Sequence, residues 1–533
     1  MTIDGFLTVL TLVAAILALM TPVQRLRISL SGVGQLVLAA VAGLTILWLE
    51  LWQPVLHCPA SLGRFCDVIA LPDDVARRDA FLIVLAWGAL AYALHRLGRP
   101  RVASVPALAR VALPLLDAGK YEDFLQLVLP QRPLLLTASR RRGRWQALHD
   151  WLDLFGRPPN KWLDFAGHEP PPGQKYPKRV AAAVRFIARA VPAQRLATQA
   201  ADDLLHALLT SVPLLDHFVQ VRPHDALPLM ELGFHSGRDF TDQILTRLIA
   251  TPGSLLYREL EQNQNLTYPV GYELPERNRI LRFLFVDARR AERLQVWSPI
   301  GNYVSRLIEG RERTDYHAWL NGPGSGFEEV QWRDPAFCGF FYFDIMVTAG
   351  LAQGIEYHMW LPYFRSFIEG LESAYDSDKL GVDREAEFPT RAARLLSMAF
   401  DTLIGWVEGF AKVGEDSPHR VFPDRHAYPN SSIPLTASVI LADALRTVLL
   451  STSIDDRVAM SLNESVMRMI SQLDVEDFEG RLRAWIIEDV AKGGNHNPGK
   501  LYKSRLREAF GRADPMLQYG LDDYAKAIGY EQQ

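Results

Sequence analysis

Residues able to do chemistry are sparse in this chain and mostly stand singly. His419, Asp424 and His426 share the segment Ser417–Asn430. Two imidazoles and a carboxylate are adequate ligands for a divalent metal, and a loop lets them converge. A membrane-tethered, metal-dependent hydrolase built on these three residues is one reading. Their spacing fits no metal motif, so surface histidines are the simpler expectation. Glu356 with His358, and Asp315 with His317, are spaced i to i+2, which turns the two groups to different faces of a helix.

Gly494-Asn-His-Asn-Pro-Gly499-Lys500 has the glycine and lysine spacing of a phosphate-binding loop. Leu501 occupies the place of the magnesium-holding hydroxyl, and Leu482–Val490 before it patterns as helix, not strand. An interhelical loop is expected. Gly322-Pro-Gly-Ser-Gly326 lacks the dinucleotide spacing and reads as a mobile loop. There is no GxSxG elbow for a serine nucleophile. No cofactor is implied by these patterns.

The three cysteines are too few for a four-thiolate zinc site. Pro59 and Gly63 permit a tight bend between Cys58 and Cys66, so these two are a disulfide candidate in an oxidising compartment, with separate thiols as the alternative. Cys338 lies beside Phe337, Phe340 and Phe341, where a thiol stays protonated and inert.

The elements around these residues carry a plainer signal. Apolar segments at 5–23, 33–55 and 80–97 are long enough, or nearly so, to cross a bilayer. Glu50, between Trp48 and Trp52, reads as an interfacial residue near the end of the second segment. Basic residues bias the topology. Arg25 and Arg27, then Arg96, Arg99, Arg101 and Arg110, fall on one side of three spans. Arg64, Arg77 and Arg78, offset by Asp67, Asp73, Asp74 and Asp79, fall on the other. This predicts a periplasmic N-terminus and a cytoplasmic C-terminal region, with Arg96, Arg99 and Arg101 against lipid headgroups.

Past the anchor, helical spacing dominates. Pro106–Leu116 and Lys120–Leu129 predict a helical hairpin turning at Gly119. Ser139–Phe155 is a further helix with basic and aromatic residues. Six prolines break 157–177. Helices are expected over Val180–Val191, Leu196–Val212, Asp239–Ala250 and Glu276–Leu294, with a break at Ser298–Tyr303. They are also expected over Thr390–Val413, from Pro434 to Leu450, and from Asp455 onward. Phe337–Leu351 is apolar enough to touch the membrane, but Asp344 at its middle favours a buried core helix.

The chain has 533 residues, 49% hydrophobic and 22% charged, with a net charge of −4. That composition predicts a folded chain and no nucleic-acid partner. The fold class expected is a membrane-anchored, mainly α protein: three N-terminal transmembrane helices followed by an irregular multi-helix cytoplasmic region. Its parts are an anchor at 1–97, a juxtamembrane helical hairpin region at 98–156, a Pro-rich linker at 157–177 and a large α-helical domain at 178–533. The function expected is interaction at the cytoplasmic face of a bacterial-type inner membrane, as sensor, scaffold or regulator. The lipid bilayer and a protein partner or second copy are the expected partners. The alternative is an oligomerising, membrane-disrupting or pore-forming effector, for example in antiviral defence.

Overall fold

The computed structural model describes residues 11, 32–52, 82–90, 102–140, 195–232, 235–263, 267–268, 271–356, 359–422, 432–495 and 499–530. The described residues are mostly helical, 76% helix. Among the described residues the strands are one short antiparallel pair, Thr267–Tyr268 against Gly271–Tyr272. Two compact units divide at Leu214, one covering Met1–Leu214 and the other Leu215–Gln533. The expected linker at 157–177, the helix at Val180–Val191 and most of the helix at Ser139–Phe155 lie outside the described residues.

In the first unit, Val105–Asp117 and Tyr121–Val128 form a hairpin. The turn needs Gly119, whose φ is +70°, a conformation that a Cβ disfavours. Its geometry satisfies carbonyls at the helix end. Gly119 N–H donates to Leu116 O at 3.0 Å and Lys120 N–H to Leu115 O at 2.8 Å. Glu122 and Asp123 stand in the first turn of the second helix, where its N-terminal partial charge favours acids. Arg195–Thr210 packs against Val105–Asp117 and against Arg132–Arg140. Leu108, Phe124, Leu135, Ala201, Leu204 and Leu208 form the interior.

The second unit wraps successive helices around two apolar ones, Pro335–Ala352 and Ile433–Leu450. Arg391–Lys412 packs against both. Thr390 caps it, its hydroxyl accepting from Ala393 N–H at 3.1 Å. The stripe Ala392, Leu395, Leu396, Ala399, Leu403, Trp406 and Phe410 is buried, because those positions recur at helical spacing and turn to one side. Pro335–Ala352 opens on Asp334, whose carboxylate accepts from Phe337 N–H at 2.8 Å. Its rings fill the core: Phe340 stacks on Phe367 at 5.0 Å and Phe343 meets Phe364 and Phe367 edge-on. Burying each such side chain contributes about 2–3 kcal/mol. At Gly339 a Cβ would sit 2.5 Å from Val304 Cγ2, so the small residue lets helix Trp297–Ile308 approach closely.

Three local expectations are corrected. Ser298–Tyr303 does not break the chain but lies within helix Trp297–Ile308. Pro299 is in the first turn, where its missing N–H costs nothing. Gly301 sits where a Cβ would meet the Tyr363 ring at 2.5 Å. Glu276–Leu294 is two helices, Arg279–Phe285 and Ala288–Leu294; Asp287 starts the second by accepting from Arg289 N–H. The Gly322–Gly326 segment is pinned: Gly324 N–H donates to Pro389 O at 3.1 Å and Arg391 N–H to Gly322 O at 3.1 Å.

The first residues of the segment resembling a phosphate loop, Gly494 and Asn495, lie against helix Ile433–Leu450, and residues 496–498 lie outside the described residues. Asn495 N–H donates to Asp443 Oδ1 at 3.1 Å, so this amide serves an internal carboxylate. Gly494 has φ +71°, and a Cβ there would sit 2.1 Å from Asp443 Oδ1. Gly494→Ala is expected to destabilise the second unit by about 2–4 kcal/mol, read from the urea midpoint of its helical signal. Gly414→Ala is the control, since its Cβ would meet nothing within 4 Å among the described residues; it should shift stability by less than about 0.5 kcal/mol.

Candidate functional site

Two helices, Pro335–Ala352 and Ile433–Leu450, are long and apolar enough to cross a membrane by length and composition, a property that suggests membrane association. They are 72% and 83% buried within the structure. Helix Gly32–Trp52 in the first unit is different. It has 21 residues, about 31 Å at 1.5 Å per residue, close to the roughly 30 Å of a bilayer's hydrocarbon core. One face, at Ala42 and Ile46, packs against Ile83, Val84 and Trp87 of the helical residues 82–90. The other face is uncovered among the described residues: Val37 is 58% exposed and Leu44 66%, with Val41, Leu47 and Trp48 exposed beside them. Leu85 and Leu90 are exposed on the second helix. Thr45 donates its hydroxyl to Val41 O at 2.7 Å, the local back-bond a helical threonine makes to its own preceding turn. The expected span at 5–23, with Thr11 alone described, the candidate disulfide Cys58 and Cys66, and Arg96, Arg99 and Arg101 lie outside the described residues.

The buried polar groups of the second unit hold helix ends and helix pairs together. His419 is fully buried. Its Nδ1 accepts from Ile433 N–H at 3.3 Å and its carbonyl accepts from the Ser432 hydroxyl at 3.0 Å, so the ring caps the helix that follows. Asp424 and His426 lie outside the described residues. Among the described residues no three His, Cys, Asp or Glu side chains are grouped to hold a metal. Asp315 pairs with Arg313 at 2.9 Å and His317 Nε2 meets Ile308 O at 2.7 Å. Glu356 is exposed, and His358 is outside the described residues. Cys338 is a buried free thiol.

Several carboxyls are held away from water. Asp334 is 3% exposed and also accepts from the Tyr316 hydroxyl at 2.7 Å; burial pushes its pKa up to about 6 against the opposing hydrogen bonds. Burial likewise pushes Asp489 up to about 6, with the Ser438 hydroxyl donating to it at 2.7 Å. Glu259 accepts from Ile280 and Leu281 N–H at 3.0 Å each and caps the helix from Arg279. Burial raises its pKa, and those amides oppose the rise.

A cleft of about 350 Å³ opens between helices Pro335–Ala352 and Arg391–Lys412. Phe327 and Phe337 line it, facing Ser397, Asp401 and Thr402, with Asp344 among its lining groups. Asp344 accepts from Trp406 Nε1–H at 2.9 Å and from the Tyr272 hydroxyl at 2.5 Å. The sequence marked Asp344 as anomalous in an apolar helix. It gave no sign of the grouping, because Ser397, Asp401 and Thr402 come from a helix far along the chain.

No protein-family model, curated protein or solved structure matches this chain.

The carboxyl pKa values set a pH dependence. A folded pKa above the unfolded value of 3.8 means that the native state binds more protons between pH 4 and 6. The contribution of these buried carboxyls to stability therefore falls as pH rises through that window and levels off above it. Asp334→Asn keeps the cap acceptor and removes one titrating group. The drop in unfolding free energy between pH 4 and 7, read from urea titrations, should shrink in this variant by an amount on the order of 2 kcal/mol, with Asp489 and Glu259 among the groups that supply the remainder. An unchanged drop would show that Asp334 ionises without cost.

Proposed function

We propose that this is a membrane-anchored helical protein, held by three N-terminal spans, whose large helical unit works by binding at the cytoplasmic face of a bacterial-type inner membrane. The observation that carries the reading is the uncovered stripe Val37, Val41, Leu44 and Trp48 on a helix of bilayer length. A continuous apolar helix face of that kind is stable in lipid and costly in water. The arginine bias around the spans supports a cytoplasmic side for the second unit. Its work there is sensing, scaffolding or regulation through a protein partner or a second copy. Its many helix faces offer surface for such contacts, and the buried polar residues described above are occupied with structure.

The full-length chain should remain in the membrane pellet after alkaline carbonate extraction, and a reporter fused after Gln533 should be active only in the cytoplasm. Leu44→Arg discriminates further. At an exposed position in water such a change alters stability by less than about 0.5 kcal/mol. At the centre of a span it costs about 2.5–3.5 kcal/mol of insertion, so the inserted fraction of this helix should fall. A wild-type chain recovered in the soluble fraction, or a periplasmic reporter signal, would overturn the reading.

A further inference from the structure

Arginines of the second unit commonly meet a carboxylate: Arg222, Arg247, Arg306, Arg365, Arg394 and Arg505 each do so. The stretch Glu276–Leu294 departs from that pattern. It holds six arginines against three acids, Glu276, Asp287 and Glu292, and Arg290 pairs outside it, with Glu231 at 2.9 Å. Arg277, Arg279, Arg282, Arg289 and Arg293 are exposed, and none has an ion-pair partner among the described residues. Helical spacing groups them. Arg279, Arg282 and Val286 follow at i, i+3 and i+7, and Arg289 and Arg293 at i and i+4, so each set lies along one face. The opposite faces, with Ile280, Leu281, Leu284, Ala288 and Ala291, are buried. Both helices pack on Pro335–Ala352, so both arginine faces turn away from it. Gln353 locks the joint between them. Its Nε2 donates to Phe285 O at 3.1 Å and its Oε1 accepts from Ala288 N–H at 2.8 Å. Arg290 reaches back to Phe283 O at 2.7 Å. Val286, 53% exposed, stands at this joint between Arg282 and Arg289. The positive field is felt nearby: burial, and after it the Arg279 guanidinium, lowers the pKa of His224.

We infer that the outer face of Arg279–Phe285 and Ala288–Leu294 is a docking surface for anionic lipid headgroups, with guanidiniums on the phosphates and Val286 entering the headgroup boundary. The inference rests on the membrane-anchored, cytoplasmic reading above, which gives this unit an anionic leaflet to meet. Charge complementarity selects the occupant. The chain as a whole is acidic, with a net charge of −4, while this stretch carries the opposite sign. Guanidinium forks match phosphate oxygens two at a time, and basic side chains at such a surface add their attractions. The outer faces of two helices are convex. A peptide is held in a groove or along a strand edge, whereas a bilayer presents a plane that convex faces can touch. An exposed apolar residue framed by arginines fits a boundary with phosphate outside and acyl chains beneath.

The test uses the full-length protein in nanodiscs of phosphatidylcholine alone, or of phosphatidylcholine and phosphatidylglycerol in equal parts. Brief phenylglyoxal labelling, read by peptide mass spectrometry, reports how open each arginine is. Arg279, Arg282, Arg289 and Arg293 should label about fivefold more slowly in the anionic discs. Molar salt should restore the rate, because it cuts the screening length to about 3 Å. Exposed Arg468, on helix Asp456–Gln472, is the control and should label alike in both. Arg289→Glu should return Arg282 and Arg293 to the neutral-disc rate with an unchanged thermal melt, since this side chain is exposed. Failure to enter the discs would overturn the anchor. Such a chain is mixed instead with preformed vesicles of the same two compositions, where the same difference between lipids is required. Equal labelling on the two lipids would overturn the inference with the anchor still standing. So would equal protection of Arg468. Protection by polyglutamate in neutral discs would also overturn it, by assigning the face to an acidic protein segment.

Discussion

A helix as apolar as Ile433–Leu450 can lie at the centre of a folded body only if its few polar side chains are answered there. Asp443, 2% exposed, is the demanding one. An unpaired charge buried in that position would cost several kcal/mol. Arg365 comes from helix Pro362–Ala374 to pair with it, and the chain after Asp477–Lys492 returns an amide from Asn495. One carboxylate thus fixes where two other elements sit. Ser438, about one turn earlier, ties the same helix to Asp489. With both polar groups met, the surrounding helices can close and the hydrophobic term can act over the whole surface of the central helix.

The same requirement separates two kinds of apolar helix in this protein. Pro335–Ala352 and Ile433–Leu450 satisfy the length and composition of a membrane span, yet rings and aliphatic side chains of their neighbours cover them. Gly32–Trp52 is apolar too, but among the described residues it is covered on the side toward residues 82–90 and exposed at Val37, Val41 and Leu44. Hydropathy measures what a helix would prefer to touch. Whether protein or lipid provides that contact depends on what else the chain brings alongside.

Buried acids recur at structural joints: Asp334 at a helix start with Tyr316, Glu259 at the start of Arg279–Phe285, Asp489 with Ser438. Each has its hydrogen bonds answered by protein, and each is one more element placed relative to another. Asp344 differs in one respect. Its donors are just as complete, yet it opens on a cleft that no other part of the described chain fills.

Much of the local structure was legible in the sequence. The helix from Thr390, the buried stripe from Ala392 to Phe410, Pro434 in the first turn and the turn at Gly119 all follow from spacing and backbone preference, which act over a few residues. Pro299 and Gly301 misled because a proline in a first turn and a glycine under a ring look the same in sequence as a helix break. Gly322–Gly326 misled because its partner, Phe388–Thr390, is distant in the chain. The glycine–lysine loop showed its spacing in sequence, but its anion, Asp443, could be found only in three dimensions. By itself, then, the sequence determined helices, caps and the amount of apolar surface, since these depend on neighbours within a turn or two. Tertiary structure alone decided which apolar faces are covered, which carboxyls are paired and that Asp344 and Asp401 border one cleft, because those depend on residues brought together from distant parts of the chain.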